Sequence, residues 1–281
     1  MVDFQRIIRI FGKNKLAVVS FYFIMFLILV AIFGPLISPY SPGDIDYSLM
    51  GVPHPPSMKH LMGTDGNGRD ILSRVLYGAR YTLMVGIGAV LVFITIGTIL
   101  GAVSGYVGGW IDTIIMRIVD VLLSLPILFF ILIIQMLLES SIYNVILVIG
   151  LTGWAGTCRL VRGQVLSIRE MTYIESARAI GASSSRIIFR HVIPNTMAPI
   201  IVMATLGVAS TILLESALSF LGYGVQEPNA SWGGMLNKAQ AFMSIAPWTV
   251  FFPGILIVLT VLAFNFMGDG LRDALDPKLK T

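Results

Sequence analysis

Residues 170–195 read EMTYIESARAIGASSSRIIFRHVIPN and lie between two strongly apolar stretches. The segment is polar and basic, so it does not fit inside the hydrocarbon core of a membrane. Gly181 predicts a tight turn between a short helix and a second amphipathic piece, and Pro194 with Asn195 predicts the end of the segment. A compact polar projection on a membrane surface suits docking into a groove of another protein.

The flanking apolar stretches belong to a chain that is 56% hydrophobic and 12% charged, with a mean hydropathy of +0.86. These values are typical of polytopic membrane proteins. A helix needs about 20 apolar residues to cross a hydrocarbon layer of about 30 Å. The sequence therefore predicts an all-α membrane protein with about six transmembrane helices, near residues 16–37, 81–106, 114–138, 142–158, 196–221 and 247–268.

The distribution of basic residues predicts the orientation of the chain. Placing the amino terminus in the cytosol puts four segments inside, and these carry 14 of the 19 Lys and Arg residues. The four segments are residues 1–15, 107–117, 159–195 and 269–281. The positive-inside rule favours this arrangement, with both termini cytosolic, although Arg69, Arg74 and Arg80 oppose it. The same asymmetry explains the pI of about 9.3 through contacts with membrane lipid, without a nucleic-acid partner.

The predicted organisation comprises a cytosolic N-terminal tail, a first transmembrane helix, an external region with a loop and an interfacial helix, a five-helix membrane core and a cytosolic C-terminal tail. These units span residues 1–15, 16–37, 38–80, 81–268 and 269–281. Within the external region, Asp70 is predicted to cap a surface-lying helix that leads into the second span. The core contains a cytosolic loop, 159–195, which includes the polar segment, and an external loop, 222–246.

Glycine and proline positions inside the spans predict how the helices pack. In the second span Gly97, Gly101 and Gly105 fall four residues apart, and Gly86 returns to nearly the same face. Such a stripe of small residues predicts close packing against another membrane helix. Proline in the third and sixth spans predicts a kink in each helix.

Several chemical functions are excluded by missing motifs. The sequence contains no G-x-x-x-x-G-K-[ST], so the chain is not expected to bind ATP. It also contains no H-E-x-x-H and no G-x-S-x-G, the patterns of zinc-dependent and serine hydrolases. Cys158 is the only cysteine, and the three histidines are scattered, so neither a disulfide within the chain nor a shared metal site is expected. The chain is predicted to be non-catalytic and to hold no cofactor of its own.

Ionisable residues inside membrane spans are costly and are therefore candidates for function. Glu215 lies in the fifth span and is predicted either to line a substrate path or to hydrogen-bond to a neighbouring helix. Arg117 and Asp120, three residues apart in the third span, are predicted to pair with each other.

The polar segment resembles the cytosolic "EAA" loop of membrane subunits of bacterial ATP-binding-cassette (ABC) importers. Glu175, Ala177, Gly181 and Pro194 keep the spacing of that loop, although Ser176 replaces its middle alanine. Three further stretches resemble the dipeptide, oligopeptide and nickel branch of these importers. They are residues 63–80, 215–236 and 259–279. The chain is similar to the second, C-type permease of a peptide importer.

This resemblance implies a type I ABC importer permease in a bacterial plasma (inner) membrane. It implies a heterodimer with a homologous permease, two cytosolic ATPase subunits that bind ATP and Mg, and an external solute-binding protein. Contact with the ATPase subunits is expected at Glu175, Ala177, Arg178, Ala179 and Gly181, where small residues permit close approach and the two charged residues make polar contacts. Contact with the binding protein is expected at Gln226, Glu227 and Trp232.

Three other functions stay open from the sequence. The first is the same machine with nickel or another small polar solute as its substrate in place of a short peptide. An ion-coupled secondary carrier would use Glu215 or Asp120 as a proton or cation site and would not need the polar segment. A membrane scaffold without transport activity would need that segment only for assembly.

Overall fold

The computed structural model describes residues 4–276. Within this range, all secondary-structure elements longer than one residue are helices. The outer ends of the two predicted tails, residues 1–3 and 277–281, lie outside the described residues. The α-helices are α1 (Phe4–Lys13), α2 (Lys15–Ile37), α3 (Ile71–Val107), α4 (Gly109–Ser124), α5 (Ile127–Leu137), α6 (Ile142–Ile168), α7 (Thr172–Ala179), α8 (Ser184–Ile187), α9 (Ile193–Phe220), α10 (Trp232–Ala239) and α11 (Trp248–Leu275).

Five helical stretches are long and apolar enough to cross a membrane, and a bent pair of shorter helices brings the number to six. The five stretches are α2, α3, α6, the stretch Ser184–Phe220 that contains α9, and α11. The bent pair is α4 with α5. The all-helical, multi-pass architecture predicted from the sequence is therefore confirmed.

The prediction of a separate, surface-lying helix after Asp70 is wrong. These residues form the first part of the long, continuous helix α3. Asp70 does cap this helix, since its Oδ2 accepts hydrogen bonds from the Ser73 backbone N–H at 2.7 Å and from the Ser73 hydroxyl at 2.8 Å. Arg74 and Val75 are buried, so the first turns of α3 pack inside the protein and not on its surface. No proline separates these turns from the second predicted span, and the helix continues unbroken.

The third predicted span is broken where a kink was expected. The axes of α4 and α5 differ by 92° across the break at Leu125 and Pro126. Proline lacks the backbone N–H that would continue the helix, and it disfavours helical geometry in the residue before it. Leu125 accordingly has an extended backbone, with φ −84° and ψ 139°. In the sixth span, by contrast, Pro253 lies inside a continuous α11.

The glycine stripe of α3 brings its backbone against α6, as predicted. A Cβ atom added at Gly101 would lie 2.5 Å from the Cys158 carbonyl oxygen, and one added at Gly97 would lie 2.6 Å from the Thr157 Cβ. At this separation only glycine fits without displacing a neighbour. Gly86 faces a different helix, because its added Cβ would meet Ile212 of α9 at 2.9 Å.

Contacts between segments that are far apart in the sequence show which chain ends and loops lie at each end of the helix bundle. At one end, which we call the coupling end, Arg169 donates a hydrogen bond to the Gly105 carbonyl at 3.2 Å, and Gly270 packs against Ala17. The start of α2, the end of α3, the end of α6 and the end of α11 therefore lie together. At the opposite end the loops 38–70 and 221–247 pack on each other, for example where Gly66 meets Phe242.

Candidate coupling surface and translocation groove

The segment between α6 and α9, residues 169–192, forms a compact projection at the coupling end and is called the coupling segment below. Its helix α7 buries Ile174 completely and leaves Ala177 only 9% exposed. Both side chains join an apolar cluster with Ile187 and Val192 from the second half of the segment and Val165 from α6. The projection thus has an apolar base of its own, which fixes it to the end of α6.

The outer surface of the coupling segment carries four of the five residues predicted to contact ATPase subunits. Glu175, Arg178, Ala179 and Gly181 are exposed. Ala177 is the exception, because helical periodicity places it on the same face as the buried Ile174. The structure therefore uses Ala177 to anchor α7 to the apolar base.

Gly181 ends α7 in a backbone conformation that favours glycine. Its φ is +82°, and its N–H donates to the Arg178 carbonyl at 3.0 Å. The next N–H, that of Ala182, donates to the Ala177 carbonyl at 3.1 Å, which completes a common glycine-terminated helix end. A Cβ added at Gly181 would meet nothing within 4 Å, so this position faces open space.

Pro194 and Asn195 do not end the helical structure, contrary to the prediction. Helix α8 continues through a π-helical turn, Ile188–Val192, directly into α9. In this turn the Ile193 N–H bonds to the Ile188 carbonyl five residues earlier. The wide turn accommodates the proline that follows, and the Asn195 side-chain amide donates to the His191 carbonyl at 2.6 Å.

Two ion pairs next to the coupling segment connect α6 to α4. Neither pair is predicted from the sequence. Arg162 donates to both carboxylate oxygens of Asp112, at 2.5 and 2.6 Å. Arg159 pairs with Asp120, so the predicted pair of Asp120 with Arg117 is wrong. Arginine side chains on α6 reach the acidic residues across the interface between the two helices, a contact that spacing along one helix does not predict.

A groove runs between α6 and α9 and consists of two cavities that share Met203 and Leu206. The cavity farther from the coupling end has a volume of about 290 Å³, and the nearer one about 360 Å³. The residues that line the first are Phe93, Ile127, Ile149, Thr152, Gly153, Gly156, Thr157, Met203, Leu206, Gly207, Ser210, Thr211 and Leu214. The second extends to Gln164, Arg272 and Asp276 at the coupling end.

Glu215 lies next to this groove in sequence but does not line either cavity. The side chain has no solvent exposure, and its Oε1 accepts a hydrogen bond from the Ser219 hydroxyl at 2.6 Å. Ser219 in turn accepts a hydrogen bond from Ser231 at 3.1 Å, in the loop that follows α9. Among residues 4–276 no cation lies within ion-pair distance of Glu215.

The residues predicted to contact a binding protein lie at the opposite end and differ in exposure. Gln226 and Glu227 are exposed, and Gln226 donates to the Gly222 carbonyl at 2.9 Å. Trp232 is completely buried, and its indole N–H donates to the Val75 carbonyl at 3.1 Å. Its ring also packs on Gly78, where an added Cβ would lie 2.7 Å from the indole. Trp232 therefore fixes the loop to α3 and does not form an external contact surface.

Comparisons with known proteins agree with this architecture. Residues 93–281 match the family described as binding-protein-dependent transport system inner membrane component, and residues 4–56 match the N-terminal TM domain of oligopeptide transport permease C. A dipeptide transport system permease protein of Alkalihalophilus pseudofirmus is 47% identical over 271 residues, which are 96% of this chain and 88% of the relative.

Two further relatives are similar over nearly the whole chain. An oligopeptide transport system permease protein of Haemophilus influenzae is 43% identical and covers 96% of this chain and 87% of its own length. A glutathione transport system permease protein of Escherichia coli O6:K15:H31 is 45% identical and covers 97% and 89%. The family match and the long, similar relatives together show that this chain belongs to the family of binding-protein-dependent transport system inner membrane components and is a multi-pass membrane permease.

Proposed function

We propose that this chain forms one half of the translocation path of an ABC importer for short peptides in a bacterial inner membrane. A homologous permease supplies the other half, two cytosolic ATPase subunits bind ATP and Mg, and an external binding protein delivers the peptide. The chain itself has no catalytic role and holds no cofactor. Both of its termini lie in the cytosol, and its coupling end faces the ATPase subunits.

The observation that carries this proposal is the coupling segment. Helix α7 is short, stands on its own apolar base, and exposes charged residues beside an open glycine. A projection anchored in this way moves as a rigid body with α6 and α9. Movement of an ATPase subunit that holds α7 would therefore reach the two helices that border the groove.

The orientation follows from the charges at the coupling end. Residues 1–15, 107–117, 159–195 and 269–281 carry 14 of the 19 Lys and Arg residues, and the described part of each of these segments lies at or near the coupling end. The positive-inside rule places such an end in the cytosol. The loops that carry Gln226 and Glu227 then face outward, where an external binding protein would dock.

Two features support a second permease and a peptide substrate. Helices α4 and α5 bury few of their side chains within the chain, namely Val119, Ile131 and Gln135. Their remaining apolar surface and the open side of the groove both suit a partner of similar build. The relatives named for dipeptides, oligopeptides and glutathione support a short peptide as the substrate.

The proposal is tested by reconstituting the chain with its partner permease, ATPase subunits and binding protein in proteoliposomes. ATP hydrolysis should drive accumulation of a labelled tripeptide, and a non-hydrolysable ATP analogue should not. Uptake by this chain alone, driven by a proton gradient, would overturn the proposal in favour of a secondary carrier. An intact complex that hydrolyses ATP but imports no peptide would overturn the assigned substrate.

A further inference from the structure

The groove between α6 and α9 extends far enough to span much of a membrane. Its lining on α9 runs from Ala198 in the nearer cavity to Leu214 in the farther one, a distance of about 24 Å at 1.5 Å per residue. Met203 and Leu206 border both cavities and divide them. The groove therefore provides two chambers in series along the direction of transport.

The lining of the farther cavity consists of six apolar residues, four residues with hydroxyl groups and three glycines, and it contains no ionisable side chain. Hydroxyls come from both helices, with Thr152 and Thr157 on α6 and Ser210 and Thr211 on α9. Gly156 faces this cavity with nothing within 4 Å of an added Cβ. The lining thus offers neutral hydrogen-bonding groups and free volume, and it offers no charge to attract or repel a charged side chain.

One of these hydroxyls is unpartnered although it is buried. The Thr152 hydroxyl donates to the Val148 carbonyl at 2.7 Å, and Ser210 donates to the Leu206 carbonyl at 3.3 Å. Thr157 is only 1% exposed, and within the described part of the chain its hydroxyl oxygen has no hydrogen-bond partner. Buried polar groups are rarely left without a partner. Thr157 packs against Gly97 of α3 and also lines the cavity, so a group that enters the cavity is a candidate partner for its hydroxyl.

We propose that the cavity bounded by Thr152, Thr157, Ser210 and Thr211 is a transient binding site for the main chain of an extended short peptide. This inference rests on the proposed function. Hydroxyls donate and accept hydrogen bonds, so they match the alternating N–H and C=O groups of a peptide. Because the lining carries no charge, acidic, basic and neutral peptides pass with similar ease.

The test compares Thr157→Val with wild type in the complete reconstituted complex. Valine keeps the shape of threonine, and no hydrogen bond within the described chain is lost. Uptake of Ala-Ala-Ala, Ala-Glu-Ala and Ala-Lys-Ala should fall by a similar factor, about two- to tenfold for one lost hydrogen bond. The midpoint of thermal unfolding should stay unchanged or rise.

A matched control is Thr95→Val on α3, which lines neither cavity. The Thr95 hydroxyl bonds to the Leu91 carbonyl of its own helix at 2.7 Å, and this variant should transport all three peptides like wild type. A second variant, Gly156→Leu, fills the cavity and should reduce uptake of all three peptides more strongly than Thr157→Val. Its membrane insertion and recovery of the partner permease should equal those of wild type.

Several outcomes would overturn the inference. Unchanged uptake by both Thr157→Val and Gly156→Leu would show that peptides do not pass through this cavity. A loss confined to one of the three peptides would show that the site selects by side chain. Loss of the partner permease during purification of either variant would show that the cavity holds a helix of that partner. In each case wild type still imports peptides, whereas failure of wild type itself would refute the proposed function.

Discussion

Arg69 and Glu227, 158 positions apart in the sequence, form a two-point ion pair with N–O distances of 2.6 and 2.8 Å. The pair joins the loop before α3 to the loop after α9. Arg74 lies 3.7 Å from the same carboxylate and donates to the Pro42 carbonyl at 3.0 Å. Arg69 and Arg74, two of the three arginines that oppose the positive-inside rule, are therefore structural, because each is held by acidic or carbonyl groups of the loops 38–70 and 221–247.

The first prediction concerns the pH dependence of this pair. Hydrogen bonds from Arg69 lower the pKa of Glu227 below its ordinary value of 4.5, although partial burial acts in the opposite direction. A lowered pKa in the folded state means that the pair stabilises the fold above pH 4.5 and loses this effect as the pH falls through the lowered pKa. Glu227→Gln should therefore lower the stability at neutral pH by about 1 kcal/mol, because the carboxylate is partly exposed.

The measurement is thermal unfolding of the purified chain in detergent from neutral pH down to about pH 3. The difference between wild type and Glu227→Gln should shrink as the carboxylate of the wild type becomes protonated. Glu139→Gln is the control, since Glu139 is exposed and forms no ion pair among residues 4–276. A constant difference at every pH would contradict the role given to the charge of Glu227.

The second prediction concerns the contact between α3 and α6. Gly101→Ala places a Cβ 2.5 Å from the Cys158 carbonyl oxygen, which a rigid helix backbone cannot easily avoid. Overpacking of this kind costs about 1–3 kcal/mol, and we expect a lower unfolding midpoint together with less folded protein in the membrane. The control is Gly163→Ala on α6, where an added Cβ meets nothing within 4 Å. Equal stability of the two variants would show that the helices are not in close contact at Gly101.

The outcome for the glycine stripe shows how far the sequence predicts the fold. Spacing of four residues identifies a face for close packing, and Gly97, Gly101 and Gly105 all use it against α6. Spacing does not identify the neighbour, and Gly86 on nearly the same face packs against α9 instead. The angle between two helix axes at Pro126 is likewise set by the surrounding packing, so proline predicts a bend but not a bend of 92°.

The candidate site, like the fold, is only partly predictable from the sequence. The sequence motif predicts which residues of the coupling segment contact the ATPase subunits. Only the three-dimensional structure distinguishes Ala177, which packs inward, from Ala179, which is exposed. Hydroxyl and glycine residues of the groove carry no signal in the sequence, because Thr, Ser and Gly are common in membrane helices. They become a site only when α6 and α9 lie side by side. At Trp232 the sequence is misleading. This aromatic residue of a polar region is predicted to contact a binding protein, but it is completely buried.

The third prediction concerns the coupling segment. Gly181→Asp adds bulk and negative charge at an open position of the proposed ATPase contact. We expect the permease to insert normally, the ATPase subunits to be lost during purification, and ATP-driven uptake to fall about tenfold or more, as for the central residues of protein interfaces.

A control at the opposite end of the helix bundle distinguishes an effect of backbone strain at Gly181 from a loss of docking. Gly222 has a φ of +89° and also meets nothing within 4 Å of an added Cβ, and like Gly181 it ends a helix. Gly222→Asp therefore introduces the same residue into the same backbone conformation, and the ATPase subunits should still co-purify. Loss of the ATPase subunits from both variants, or from neither, would count against docking at Gly181.

The fourth prediction concerns Glu215, for which the sequence left a transport role and a structural role open. The carboxylate is completely buried, does not line the groove, and accepts a hydrogen bond from Ser219, which links α9 to the loop that carries Ser231. We expect Glu215→Gln to transport within about twofold of wild type, because glutamine retains an oxygen that accepts this bond. Glu215→Leu leaves Ser219 without that acceptor and should lower the stability by about 1–3 kcal/mol.

Both variants are compared by peptide uptake in proteoliposomes and by thermal unfolding in detergent. A structural role requires that transport follow the amount of folded complex, so Glu215→Leu should lose uptake only in proportion to its loss of stability. If Glu215→Gln instead abolished uptake while its unfolding midpoint matched wild type, the negative charge itself would be needed for transport. That result would mean that Glu215 belongs to the transport mechanism, where an ion-coupled carrier would require it, and does not merely support the loop that carries Ser231.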